Sequence, residues 1–437
     1  MKKNNWARLI VMVVVIALVA SGCKSGGGEG SKDGSVSIQF WSAPNPTQQA
    51  FWKEMADEYM KENDKVTIKV TPMPESPSSE AGIQSAIAAG NAPTISENIS
   101  RGFAAQLAAS SAIVPLEEFD GYDELIKDRK MTDTISTWKF ADGSQYVLPI
   151  YTNAMLFSWR MDILKELGYE EPPKTYSEVL EVGEKLKEKH PDKFLWARAD
   201  LVKPTWWARW FDFFMLYNAA SSGNNFVEGS KFIADDQAGI DTLSFMSDLS
   251  NKDLLLTREA TDPFETGQSI MMDLGPWTFT YWADKFPEMK YGETYELSMP
   301  PVPDDMNPEN AKTFADTKGL SIYASATKEE QQAAFDFVKW VYSNPENDLK
   351  WLKDTSLPPA RDDLSSNDTF TAYFEENPQL VKFAKNIPNA VPPIDNEKTV
   401  EIQEAIGKQA VNPVVKGDKD PEAAWKDMKD AIDGVLK

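Results

Sequence analysis

The 437-residue chain carries 68 acidic side chains against 45 basic ones, a formal charge of −23. A surface of that sign repels nucleic-acid phosphates and anionic lipid headgroups, so neither is expected as a partner of the folded body. One cysteine and one histidine exclude an internal disulfide and a His/Cys zinc site, and the length calls for two domains, because about 400 residues exceed a single core.

The first 22 residues read as an address. Lys2, Lys3 and Arg8 precede an unbroken apolar run at 9–20, which ends in the small residues Ser21 and Gly22. That run is too short to span a bilayer and matches a secretory signal. Cys23 follows at once, as in a bacterial lipoprotein signal, where the small residue admits the peptidase and the thiol receives a diacylglycerol anchor. Ala20 stands where leucine is usual. Cys23 is therefore the expected lipidation site; the alternative is a secreted protein in which it has no role. Residues 23–35, rich in Gly and Ser, read as a flexible tether.

Order is expected from residue 36. Residues 36–41 alternate as a strand should, and a turn with Pro44 and Pro46 leads to a helix whose Trp52, Met55, Ala56 and Tyr59 share one face. Residues 66–70 alternate again. The next helix, 80–89, stops at Gly90 with Pro93 beyond, and a short buried strand at 94–96 precedes a helix at 102–109. Strand and helix in alternation predict an α/β fold, a parallel sheet with right-handed crossovers. Further helices are predicted at 176–189, 205–217, 240–249 and 329–342, with a second strand-to-helix unit at 269–286. Residues 300–308, rich in Pro and Asp, read as a connection.

Four segments in order carry a resemblance. They are residues 83–93, ending Gly90-Asn91-Ala92-Pro93; Tyr146 through Pro149, Tyr151, Asn153 and Trp159 to Leu167-Gly168 and Pro172-Pro173-Lys174-Thr175-Tyr176; Phe264-Glu265-Thr266-Gly267-Gln268 through Gly275-Pro276-Trp277; and Gly319-Leu320-Ser321-Ile322 with the helix behind it. Together they resemble the ABC-transporter solute-binding proteins typified by the maltose-binding protein, the third segment most specifically. The resemblance implies a two-lobe, periplasmic-binding-protein-like fold with an interlobe cleft and multiple crossover strands. Residues 36–151 and 300–345 would form one lobe, 152–299 and 346–437 the other. It implies a monomeric receptor, lipid-anchored on the outer face of the cell membrane. The lobes would close by hinge bending on a small carbohydrate, then deliver it to the permease subunits of an ABC importer. No cofactor, metal or catalytic residue is expected.

In open α/β sheets, ligands meet the carboxyl ends of strands. That rule selects Trp41 after the first strand, Glu97, Asn98 and Arg101 after the third, and Trp277 after the strand at 270–274. A sugar offers a C–H face that lies flat on an aromatic ring and edge hydroxyls that need planar polar partners, each costing about 1–3 kcal/mol if buried unpaired. Trp206 and Trp207 in the Trp206-Trp207-Trp210 cluster, Tyr151 and Asn153 at the supposed crossover, and the charged Asp316 and Arg361 complete the candidates. Each has a plainer reading: core packing for the aromatics, ordinary ion pairs for the charged groups.

Enzyme motifs fail. His190 follows a charged helix and precedes Pro191, a solvated place, which excludes a Ser-His-Asp triad. Neither GxxxxGK[ST] nor GxGxxG occurs. Ser325-Ala326-Thr327-Lys328 fits S-x-x-K, but its companion motifs are absent, so it reads as a helix cap. Two rival readings stay open: a receptor for a non-sugar polar solute such as a phosphodiester or polyamine, and a surface glycoside hydrolase or lyase built on paired carboxylates.

Overall fold

The computed structural model describes residues 35–437, apart from residues 75, 77, 137 and 141. The expected signal, Cys23 and almost all of the tether lie outside the described residues. In chain order the strands are β1 (Val36–Ser42), β2 (Val66–Pro72), β3 (Ile95–Ile99), β4 (Leu148–Ala154), β5 (Leu156–Arg160), β6 (Phe194–Ala197), β7 (Val227–Glu228), β8 (Lys231–Phe232), β9 (Leu255–Leu256), β10 (Ser269–Leu274), β11 (Tyr295–Ser298), β12 (Thr313–Ile322) and β13 (Ala390–Val391).

The first three strands alternate with helices α1 (Pro46–Glu62), α2 (Ser79–Ala88) and α3 (Arg101–Ala109), and β1 pairs parallel with both β2 and β3. Local chemistry explains the punctuation. Asn45 caps α1 by accepting from the Thr47 amide at 2.9 Å, with Pro46 in the first turn where its missing N–H costs nothing. Gly90, at φ +70°, supplies the left-handed turn beyond α2. The first sheet runs β13-β12-β3-β1-β2, with β4 also paired to β12. Ile38 and Phe40 point inward from it onto Trp52, Phe337 and Val338.

A second sheet runs β11-β5-β10-β6-β9 and has its own core, in which Trp159, Trp196 and Met271 meet Phe213, Leu243, Ile406 and Met428. Here β10, β6 and β9 are parallel, β5 runs against them, and β11, antiparallel to β5, runs with them again. The two sheets define two lobes. The chain passes between them at Met155, where β4 of the first sheet becomes β5 of the second. Beside it runs β12, whose Phe314 belongs to the second core and whose Leu320 and Ile322 belong to the first. Hydrogen bonds lock these passages together: Met155 N donates to the Phe314 carbonyl at 2.9 Å, and Thr313 Oγ1 to the Met155 carbonyl at 2.6 Å.

Two details differ from expectation. The helix read at 205–217 is broken into a 3₁₀ turn, Trp206–Trp210, and an α-helix, Phe213–Ala220. Asp212 leaves helical geometry between them, and its carboxylate takes the Phe213 amide. The helix Pro345–Thr355, expected with the second lobe, packs on α1, with Trp351 edge-on to Phe51 at 5.2 Å. Its buried tryptophan completes the first core.

Candidate functional site

Alternation along β12 places Phe314, Asp316 and Lys318 on one side of the strand. This row forms the floor of the groove between the lobes. Above Asp316 and Lys318 opens a cavity of about 510 Å³. One wall is first-lobe chain: Ala43, Pro44 and Asn45 after β1, Gln48 on α1, Ser78 to Glu80 at the start of α2, and Asn98 at the end of β3. The other wall is second-lobe aromatic: Trp207, Phe211 and Trp277, with Trp210 and Tyr151 below. Trp210 also borders a second cavity of about 850 Å³, whose lining includes Arg101, Phe140, Tyr146, Asn218, Asn224, Asn225 and Asp395.

The aromatic wall is a connected set of rings. Phe211 meets Trp277 edge-on at 6.1 Å and Phe314 edge-on at 6.0 Å, and Trp210 stacks on Phe314 at 5.9 Å with 10° between planes. Trp277 stands just before the helix Thr278–Lys285 and packs against the cores of both lobes. Its ring folds back over Gly275, where an added Cβ would lie 2.1 Å from a ring carbon. Glycine is required there by that close approach. Trp207 is 42% exposed. It is the ring with most free face.

The floor is polar and strained for partners. Lys318 Nζ lies 4.3 Å from the centre of the Trp210 ring and 3.6 Å from Asp316 Oδ1. Tyr151 donates weakly to Asp316 Oδ2 at 3.4 Å. Burial holds the Asp316 carboxyl above the usual carboxylate range, although Lys318 opposes the shift. Burial also pushes the Tyr151 phenol well above its ordinary value. Asp316 Oδ1 and the Trp210 indole N–H are buried and make no hydrogen bond within the protein. The indole N–H has no partner around it, whereas Asp316 Oδ1 has the Lys318 ammonium as its counter-charge.

Of the residues selected from sequence, Trp277, Trp207, Tyr151, Asn98 and Asp316 line the smaller cavity and Arg101 the larger. Asn98 reaches its place with φ +62°, a left-handed conformation that asparagine tolerates. Arg101 bridges the lobes: it pairs with Asp395 at 3.0 Å and donates to the Lys139 carbonyl at 2.6 Å. The other five stand outside both cavities. Trp41 packs half-buried on the cluster of Met73, Ile83 and Phe103. Trp206 packs on the second core, edge-on to Trp210 at 5.3 Å. Asn153 is fully buried and donates to the Asp316 carbonyl at 3.3 Å. Glu97 is fully buried beneath the β1–α1 loop, taking the Ala43 amide and the Trp52 indole N–H. Arg361 is committed to Asp348 and Asp363, at 3.0 and 2.9 Å.

Sequence reasoning missed Lys318, Phe211, Asn45, Gln48 and the start of α2. Lys318 had a readable signal, since it stands two residues beyond Asp316 on an alternating strand. Among the described residues, no group of three or more His, Cys, Asp or Glu is placed to hold a metal, and no helix is long and apolar enough to cross a membrane.

Residues 54–380 match the family model described as bacterial extracellular solute-binding protein. The chain belongs to this family. Its relatives fit the fold described above. An uncharacterized protein from Listeria monocytogenes is similar at 59% identity, with a TM-score of 0.82 over 92% of this chain and 100% of that one. The cyclic alpha-maltosyl-1,6-maltose binding protein of Arthrobacter globiformis shares the fold of this solute-binding protein at 18% identity, with a TM-score of 0.75 over 92% and 100% of the two chains. The maltotriose-binding protein of Pyrococcus abyssi is 23% identical over 323 residues, 72% of this chain and 64% of that relative's length.

Proposed function

We propose that this solute-binding protein captures a neutral oligosaccharide between its lobes and delivers it to the permease of an ABC importer, from a Cys23 lipid anchor on the outer face of the cell membrane and as a monomer. The observation that carries the reading is an aromatic wall, Trp207-Phe211-Trp277, set beside the polar row of Asp316 and Lys318 and the unpartnered Trp210 N–H. Rings cover the C–H face of a sugar while Asp316, Lys318 and the Trp210 N–H take hydroxyls. The relatives that bind maltotriose and a cyclic maltosyl-maltose support the same ligand class. An anionic solute fits less well, because the cleft's Lys318 and Arg101 already face Asp316 and Asp395. Closure of the lobes would desolvate these groups and present a new surface to the permease.

On this reading the guest leaves unaltered. The lone histidine, His190, is paired with Glu166 at 3.3 Å and lines neither cavity. The test is a thermal-shift series with maltose, maltotriose and longer maltooligosaccharides, with chromatography of the supernatant. Saturable stabilisation without product is expected, amounting to about 2.7 kcal/mol at a ligand concentration a hundredfold above Kd. Release of shorter sugars would make the protein a hydrolase, and absence of stabilisation by every oligosaccharide would end the sugar reading.

A further inference from the structure

We infer that Arg198 is the positioning residue for both aromatic segments of the cleft, an inference that rests on reading this cleft as the sugar site. Arg198 stands just beyond β6, beside Asp273 on the parallel strand β10. Its Nη1 donates to Asp273 Oδ2 at 2.8 Å, and the Trp196 indole N–H donates to the other carboxylate oxygen at 3.3 Å. From Asp273 the chain runs directly through Gly275 to Trp277.

The same guanidinium holds the other segment. Nη2 donates to the Ala208 carbonyl at 3.4 Å, between Trp207 and Trp210 in sequence, and Nε stands 3.8 Å from Asp212 Oδ2. Asp212 also accepts from Arg209 Nη2 at 2.8 Å, and Arg209 continues to the Asp200 carbonyl at 2.8 Å and to Asn412 Oδ1 at 3.1 Å. Arg198, Asp212 and Asp273 line neither cavity. They act through the rings.

The physical reason for arginine is geometric. Hydrophobic contact between Phe211 and Trp277 is non-directional and leaves the two segments free to slide. A planar fork that meets a carboxylate on one segment and a carbonyl on the other sets both their distance and their angle. Lysine keeps the charge but offers one compact ammonium, which cannot reach both.

Arg198→Lys tests this, with Arg160→Lys as the control. Arg160 has similar side-chain exposure, 12% against 14%, and also bonds a carboxylate and carbonyls, but its partners are Asp162, Phe264 and Glu265, away from both cavities. Both variants are labelled with 5-fluorotryptophan, and the Trp207 and Trp277 resonances are assigned through Trp207→Phe and Trp277→Phe. Arg198→Lys is expected to shift both resonances and to weaken maltotriose binding by about tenfold, while Arg160→Lys does neither. An Arg198→Lys protein that melts earlier but keeps both resonances and its dissociation constant overturns the inference. Should the wild-type protein bind no maltotriose, the sugar reading fails, and the fluorine resonances alone decide whether Arg198 sets the rings.

Discussion

Glu97 makes an unusual demand on pH. It has no exposed surface, forms no ion pair among the described residues, and is held by the Ala43 amide and by the Trp52 indole N–H at 2.6 Å. Burial raises its pKa from 4.5 to about 7, more than the two hydrogen bonds lower it. Below pH 4.5 the folded and unfolded chains both hold the proton. Between 4.5 and 7 only the folded chain does, so stability present at the acid end is lost as the pH rises through the folded value. The span is equivalent to about 3 kcal/mol. The Tyr151 and Tyr342 phenols nearby are pushed well above their ordinary range and stay neutral throughout. Glu97→Gln removes the titration and keeps the size. Urea unfolding of both proteins from about pH 4 to pH 8 should show the wild type losing about 3 kcal/mol relative to the variant. The difference cancels contributions from Asp273, Asp316 and Asp395, whose carboxyls burial also raises. Two parallel profiles would refute the reasoning.

Trp277→Ala should weaken oligosaccharide binding by about 1–3 kcal/mol in calorimetry and leave the far-ultraviolet dichroism unchanged; an unaltered dissociation constant would remove the ring from the site. Gly102→Ala places a Cβ 2.5 Å from Thr399 Oγ1 and 2.9 Å from the Ile394 carbonyl, at the contact between α3 and the segment after β13. Overpacking there should cost about 1–3 kcal/mol, read as a lowered melting temperature, and an unchanged melting curve would mean that the segment moves aside freely.

The alternating strands and helices from 36 to 109 were legible because each obeys one periodicity and ends at a cap or a glycine. The break at Asp212 was not, because Phe211, Phe213 and Phe214 sustain an apolar helical pattern while the interruption comes from one carboxylate taking its neighbour's amide. The strand-end rule selected Trp277 and Asn98, which line the smaller cavity, since strand ends are visible in sequence. It also drew in Trp41 and Glu97, which stand at the right strand ends but face the wrong way, onto the Met73–Ile83–Phe103 cluster and beneath the β1–α1 loop. Arg361 read as a cleft candidate or an ordinary ion pair, and the sequence did not say with which carboxylates. Its partners Asp348 and Asp363 come from the preceding helix and the following turn, and only the fold brings them to both sides of one guanidinium.

Because β12 begins among the residues of one core and ends among those of the other, neither half of the molecule corresponds to an unbroken stretch of coding sequence. A fragment stopping at Ala154 would lack the strand that pairs with β3 and β4, and one starting at Leu156 would carry that strand with only β13 beside it. Exchanging a half between relatives therefore means splicing at Met155, within β12 and again between Leu357 of the first core and Ile402 of the second.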